Sequence, residues 1–147
     1  MTAEMKLYTL AQQNSTLIAD LGNNPFRWFD VPMPQNQWRP GSTCLRFRRV
    51  STVLGYNQGG LMNLEQILYQ FEILAQFLET ARAVATDFTT FMGGVDLCSA
   101  QQFGSPQTQP NQYPCFLRNR RETADFNLQP VAQIVAMDWR VYNRTDL

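Results

Sequence analysis

The sequence predicts a two-layer α+β domain, with two helices packed on one face of a mostly antiparallel sheet of about four strands, in the order α-β-β-α-β-β. Three observations support this prediction: apolar residues at helical spacing near the N-terminus, a second such stripe that stops at Gly93-Gly94, and a strand pattern in residues 131–142. The chain has 147 residues, of which 44% are hydrophobic and 16% charged. Residues 1–147 should therefore form a single domain with one core.

The first predicted element is an amphipathic helix over residues 3–21, with Thr2 as a candidate N-cap. Glycine, two asparagines and Pro25 follow and are typical of a helix end. Residues 25–42 contain four prolines and are expected to be a connection. The aromatic residues of this connection are interpreted as plugging the edge of the core rather than stacking on a ligand, namely Phe26, Trp28, Phe29 and Trp38.

Residues 43–54 alternate as a strand, and the glycine-rich 55–60 is expected to turn the chain. Residues 61–92 admit two interpretations. Apolar residues from Leu61 to Leu78 follow coiled-coil spacing, which would give one long helix and a helical adaptor. Alternating β-branched and aromatic residues between Ile67 and Ile73 instead favour a strand over 63–73 followed by a helix over 75–92, which is our prediction.

The C-terminal half predicts a short strand at 95–97, a long polar loop at about 98–114, a strand at 115–122, a turn, and a strand at 131–142. The loop is rich in proline and neutral amides, and we hypothesise that it docks on a partner. Its candidate docking residues are Gln101, Gln107, Gln109 and Gln112.

The composition excludes several kinds of enzyme, because the chain contains no histidine. Imidazole acid–base chemistry, Ser-His-Asp sites and His-containing zinc sites are therefore ruled out. Three cysteines without CxxC spacing are expected to be buried reduced thiols. Two carboxylate pairs could be considered for catalysis, Glu65 with Glu72 and Asp125 with Asp138. We interpret these carboxylates as solvated or salt-bridged. We expect no enzyme activity, no cofactor and no metal.

Eleven of the twelve basic residues are arginines, although the formal net charge is zero. On a strand, residues two apart project from one face. Arg46 and Arg48 should thus share a face, as should Arg118 and Arg120. We expect these arginines to lie at a subunit interface or a lumen, with interfacial acids such as Glu65, Glu72 or Asp125 as partners. The alternative is a nucleic-acid-binding module built from arginines and aromatic residues on a sheet.

The element order and several stretches resemble the tail-terminator, or tail-completion, family of long-tailed bacteriophages and related neck proteins. The stretches that carry this resemblance are Arg27-Trp28-Phe29-Asp30-Val31-Pro32, Cys44-Leu45-Arg46-Phe47, Ile67-Leu68-Tyr69-Gln70-Phe71 and Ala136-Met137-Asp138-Trp139-Arg140-Val141-Tyr142. The resemblance covers nearly the whole chain in pattern and in element order. It rests on no invariant motif, and the family has no catalytic residues to transfer.

The resemblance implies a structural virion protein, made in the host cytoplasm and located in the tail or neck. Members form a ring, commonly a hexamer, at the head-proximal end of the tail tube. The ring ends tube polymerisation and joins the tail to the head connector, while genomic DNA passes through the lumen. The implied partners are other copies of the chain, the tail tube protein, the connector or adaptor protein and transient DNA, with no membrane. Such rings need heterologous contacts that close by rotation.

Overall fold

The computed structural model describes residues 2–21, 38, 41, 43–57, 60–103 and 113–144, without the side chains of 55–57 and 60–63. In chain order these residues form α1 (Ala3–Gln12), α2 (Ser15–Leu21), β1 (Thr43–Asn57), β2 (Gly60–Ala75), α3 (Leu78–Gly93), β3 (Val95–Asp96), β4 (Gln101–Gln102), β5 (Phe116–Asp125) and β6 (Ala132–Arg144). The four long strands make one antiparallel sheet in the order β1-β2-β6-β5, and β3 pairs with β4. The predicted α+β class and four-stranded sheet are confirmed.

The ambiguous region is a strand followed by a helix, as predicted. β2 is longer than predicted and pairs along its length with β1, and from Leu64 to Ala75 with β6. Its odd-numbered residues from Ile67 to Ile73 are fully buried. Two neighbouring strands complete the backbone hydrogen bonds of β2, which outweighs its coiled-coil spacing. The helix therefore begins at Leu78, three residues later than predicted.

The predicted single N-terminal helix is two helices. Thr2 is the N-cap of α1 as expected, because the Met5 amide donates to its Oγ1 at 3.2 Å. The break falls at Asn14, whose Oδ1 accepts a hydrogen bond from the Leu17 amide at 3.1 Å. A side-chain cap of this kind starts a new helix. Helical periodicity continued across Asn14 and concealed the break.

The three helices cover one face of the sheet, where the main core lies. A row of aromatic rings crosses it from Phe47 through Tyr69 and Phe71 to Phe88, with centroids 4.8–5.8 Å apart. Val135 and Trp139 of β6 are buried on this face. Ring stacking and apolar burial together hold α3 on β2 and β6.

A smaller apolar cluster covers one end of the opposite face of the sheet. Trp38 is its centre and is only 3% exposed, and its Nε1 donates to the Pro130 carbonyl at 2.6 Å. Trp38 thus plugs the edge of the core as predicted, whereas Phe26, Trp28 and Phe29 lie outside the described residues. The rest of this face carries mainly polar side chains; we call it the polar face.

Further strand boundaries differ from the prediction. β1 continues to Asn57 and β2 begins at Gly60, where residues 55–60 had been expected to turn the chain. β5 continues to Asp125 because its pairing with β6 extends to Ala132, where a turn had been expected. β6 continues two residues past the predicted end at residue 142. All three cysteines are buried. In the described part of the chain, no helix is long and apolar enough to span a membrane.

Candidate functional site

The polar face of the sheet holds Arg46 and Arg48 of β1, which share a face as predicted. Arg46 donates from Nε and Nη2 to Glu72 Oε2 at 3.0 and 2.7 Å, and its Nη1 lies 4.0 Å from Asp125. Arg48 donates twice to Gln70 Oε1, at 3.0 and 2.8 Å. Arg46 therefore has carboxylate partners within its own chain. Arg48 donates to a neutral amide, which does not neutralise its positive charge.

The acids offered as partners from a neighbouring subunit are all occupied within this chain. Glu72 and Asp125 lie beside Arg46, and Glu65 accepts from Asn143 and lies 3.6 Å from Arg49. An intersubunit role for Arg46 would require breaking a partly buried ion pair. An interface role for Arg48 stays a prediction.

Arg118 and Arg120 do not share a face, contrary to the prediction. A β-bulge lies between Leu117 and Asn119, so one extra residue enters β5 at Arg118. Arg120 pairs with Met137, whose side chain lies in the core under the helices. Arg118 instead lines a depression on the polar face. The bulge reverses the alternation on which the prediction depended, and sequence alternation contains no sign of it.

The depression on the polar face has a volume of about 340 Å³ and also includes Arg140. Neither arginine has a hydrogen bond or an ion pair among the described residues. The carboxylate in the depression, Asp138, accepts from Arg121 at 2.9 Å. We call this depression, lined by Ser51, Gln66, Leu68, Arg118, Asn119, Asp138 and Arg140, the arginine pocket.

Gln101 is the one predicted docking residue that the structure describes, since Gln107, Gln109 and Gln112 lie outside the described residues. Gln101 is exposed in β4 and lines a second depression of about 370 Å³, between the start of the polar loop and the α1–α2 junction. Gln13 and Asn14 face the same space. These neutral amides can both donate and accept, which suits a partner backbone. The docking role stays a prediction.

A buried polar network that the sequence analysis missed joins α1 to the sheet. Lys6, 2% exposed, donates to Asn143 Oδ1 at 2.6 Å and to the Arg144 carbonyl at 3.2 Å. Asn143 donates to Glu65 at 2.9 Å. Arg49, near Glu65, forms a bidentate pair with Glu4 of α1 at 3.0 Å. The only lysine of the chain thus fixes the position of the first helix. Its place beside the apolar Leu7 in the predicted helix was the one sign of this role in the sequence.

The two carboxylate pairs considered for catalysis do not form an acid–base site. Glu65 and Glu72 lie on opposite faces of β2, because seven residues separate them. Asp125 and Asp138 each lie beside an arginine, at 4.0 and 2.9 Å. Within the described ranges, no group of three or more potential metal ligands is placed to bind an ion.

A different pair of carboxyls lies between α2 and α3. Burial, followed by the hydrogen bond and the negative charge of Asp87, raises the pKa of Asp20 to about 6. Asp20 Oδ2 is buried and has no N–H donor among the described residues. The two carboxyls can bond to each other only when one is protonated. Asp20 therefore binds a proton more tightly in the folded chain than in the unfolded one.

We expect Asp20→Asn to change how stability depends on pH. With a folded pKa raised from 3.8 to about 6, wild-type stability falls as the pH rises between those values and is then level. The variant should lack this fall, and its free energy of unfolding at neutral pH should exceed that of the wild type by about 1 kcal/mol. This value is smaller than the full pKa shift implies, because Asp20 is only partly buried and solvent screens its charge. Urea denaturation between the two pH limits measures it. Glu79→Gln, which changes an exposed carboxylate, is the control and should keep the wild-type dependence of stability on pH. If Asp20→Asn showed the same dependence as the wild type, Asp20 would not be its source.

No protein-family model matches the chain, and comparison with the curated proteins gives no match.

Proposed function

We propose that this chain is a structural ring subunit of a bacteriophage tail, of the tail-terminator kind, and not an enzyme. Copies of the chain form a closed ring, a hexamer by the resemblance, at the head-proximal end of the tail tube. The ring stops tube growth and joins the head connector, with DNA passing through its lumen. The observation that supports ring formation is a pair of unlike apolar patches at the two edges of the sheet.

The first patch lies on β1, the edge strand at one side of the sheet. Residues 50–54, Val-Ser-Thr-Val-Leu, are uncharged and all exposed. Val50, Val53 and Leu54 are 49%, 60% and 41% exposed. Among the described residues, no strand pairs with the outer side of this segment. An uncharged, exposed edge strand with high strand propensity invites pairing with another chain.

The second patch lies on β5, the edge strand at the other side. Phe116 and Leu117 are 46% and 39% exposed. The patch is flanked by Arg118 at the bulge, which limits pairing at that end. The two edges therefore carry different sequences. A contact between them is heterologous, and this is the type of contact that produces rings.

The two patches lie at the same level along the sheet. One row of paired residues runs from Arg49 through Tyr69 and Trp139 to Leu117. The next row runs from Ser51 to Phe116. A neighbour placed beside this chain without a shift along the strands would thus bring its Phe116 level with Ser51 and its Leu117 level with Arg49, at the start of residues 50–54. A contact without axial shift closes into a ring when its rotation divides a full turn, whereas a shifted one produces a helix.

Strand direction is compatible with this contact. Each neighbouring pair in the order β1-β2-β6-β5 is antiparallel, so β1 and β5 run in opposite directions. When a second copy in the same orientation lies alongside, its β5 runs antiparallel to β1. The junction would then continue the pairing used throughout the sheet. The helices would remain on one side of the ring wall and the polar face on the other.

Val53→Asp tests this proposal, because it places a carboxylate in the centre of the β1 patch. Desolvating that charge should weaken each subunit contact by roughly 2–3 kcal/mol. We expect the wild type to form a closed oligomer and Val53→Asp to be a folded monomer, measured by size-exclusion chromatography with light scattering. Ala83→Asp, at an exposed position of α3, is the matched control and should assemble. A monomeric wild type, or a Val53→Asp variant that assembles equally well, would contradict the proposal.

A further inference from the structure

We propose that the arginine pocket is a binding site for the phosphates of a DNA strand. The pocket lies on the polar face, away from the three helices, and all four long strands of the sheet contribute lining residues to it. The assignment of the phosphates to DNA rests on the proposed ring function, whereas the ability of the pocket to bind phosphate depends only on the residues of one chain.

Local backbone structure brings the two arginines together. Arg140 lies on β6 opposite Leu68 and Phe116. The extra residue in β5 is Arg118, and it lines the same depression as Arg140. Regular alternation after Leu117 would already place Arg118 on the polar face; the bulge adds Asn119 to that face beside it and moves Arg120 to the helix side. Bulges commonly redirect side chains in this way at functional surfaces.

The charge of the pocket is not balanced by the described residues of the chain. Asp138 is its one carboxylate, and Arg121 already binds it at 2.9 Å. Arg118 and Arg140 therefore contribute two positive charges without a counter-ion among the described residues. Arg48, on the same face, has only the neutral partner Gln70. Guanidinium groups bind phosphate oxygens through paired N–H donors, so an anion with several acceptors fits this site.

The remaining side chains favour a phosphodiester over an isolated anion. Asn119, Gln66 and Ser51 provide neutral donors around the two arginines. Tyr142 follows Arg140 by two residues on the same face and lies opposite Gln66, and its ring is 5.9 Å from that of Tyr113. A ring beside a pair of arginines can stack on a base while the guanidiniums hold the backbone. The pocket is open to solvent, so a strand can pass across it.

The test compares two double variants with the same change in net charge. Arg118→Gln/Arg140→Gln removes the pocket arginines, and Arg82→Gln/Arg120→Gln removes two arginines from the helix side, where Arg82 pairs with Glu122. Fluorescence anisotropy with labelled single-stranded and duplex DNA of about 20 nucleotides would be recorded between about 50 and 200 mM salt. Inorganic phosphate, followed by NMR at the arginine Nε–H groups, is the second probe. All four exchanged arginines carry exposed or partly exposed side chains, so thermal melts should match the wild type.

We expect the pocket variant to lose roughly tenfold or more in DNA affinity and to reduce the salt dependence by about one phosphate contact per arginine. The helix-side variant should change affinity by less than about threefold. Equal effects of the two variants, or no DNA binding by the wild type, would overturn the proposal. Inorganic phosphate binding as tightly as DNA would assign the pocket to a free anion and also overturn it.

The oligomeric mass of every sample separates this proposal from the ring. A monomer that binds DNA through Arg118 and Arg140 would support the pocket and contradict the ring. A ring that does not bind DNA would contradict the pocket alone. A ring in which the pocket variant fails to assemble would show that the arginines bind a carboxylate of the neighbouring subunit, which would likewise overturn the DNA assignment.

Discussion

Val135→Asp is expected to prevent folding under ordinary conditions. Val135 is fully buried in β6, the strand between β2 and β5, and it pairs with Ile73 on one side and Glu122 on the other. A carboxylate at this position would lie under the helices within the main apolar core. The cost of several kcal/mol is comparable to the total stability of a typical domain, roughly 5–15 kcal/mol.

Chemical denaturation followed by circular dichroism measures this effect. Ala83→Asp is the control because it introduces the same carboxylate at an exposed position of α3, outside the proposed subunit contact. Its effect on stability should stay within about 1 kcal/mol. If Val135→Asp unfolded at the wild-type denaturant concentration, the central place of β6 would be contradicted.

Lys6→Met is expected to destabilise the chain by about 3–5 kcal/mol, because it breaks a buried charged network. The methionine fills the space of the lysine stem but leaves Asn143 Oδ1 and the Arg144 carbonyl without this donor. It also removes a positive charge from the surroundings of Glu65, which is 8% exposed. Hydrogen exchange should then rise first in α1, because Lys6 ties this helix to the last strand.

A double-mutant cycle separates the network from simple packing. Glu65→Gln keeps a hydrogen-bond acceptor for Asn143 while it removes the charge. If Lys6 and Glu65 act through one network, the combined variant should lose about 1–3 kcal/mol less than the sum of the two single losses. Arg48→Met, which removes an exposed cation from the polar face, should change stability by less than about 1 kcal/mol. Additive losses would show that Lys6 contributes by packing alone.

Elements with a single strong period were predictable from the sequence. β6 alternates from Met137 to Asn143, and α3 has one apolar stripe that stops at glycine, so both types were predicted correctly. β2 was harder, because its residues satisfy both a helical and a strand period. Its pairing with β1 and β6 decides between the two, and this information is not local to residues 60–75.

The candidate site was less predictable, because it depends on departures from regular structure. Alternation placed Arg118 and Arg120 together, whereas the bulge moves Arg120 to the helix side and leaves Arg118 on the polar face with Arg140. Residue type alone did not show that Arg46 is balanced by Glu72 across the strands. Lys6 was not singled out in the sequence, although α1 places it over the last strand. In each case the deciding partner lies far away in the sequence.

Negative-stain electron microscopy of the wild-type preparation, alone and mixed with phage tail tubes, tests ring formation most directly. The proposal predicts closed rings with a central opening and the same rings at one end of the tubes, while Val53→Asp at the same concentration gives no rings. Wild-type particles that are monomers, two-fold dimers or open filaments would contradict it, as would tubes whose ends bind no protein.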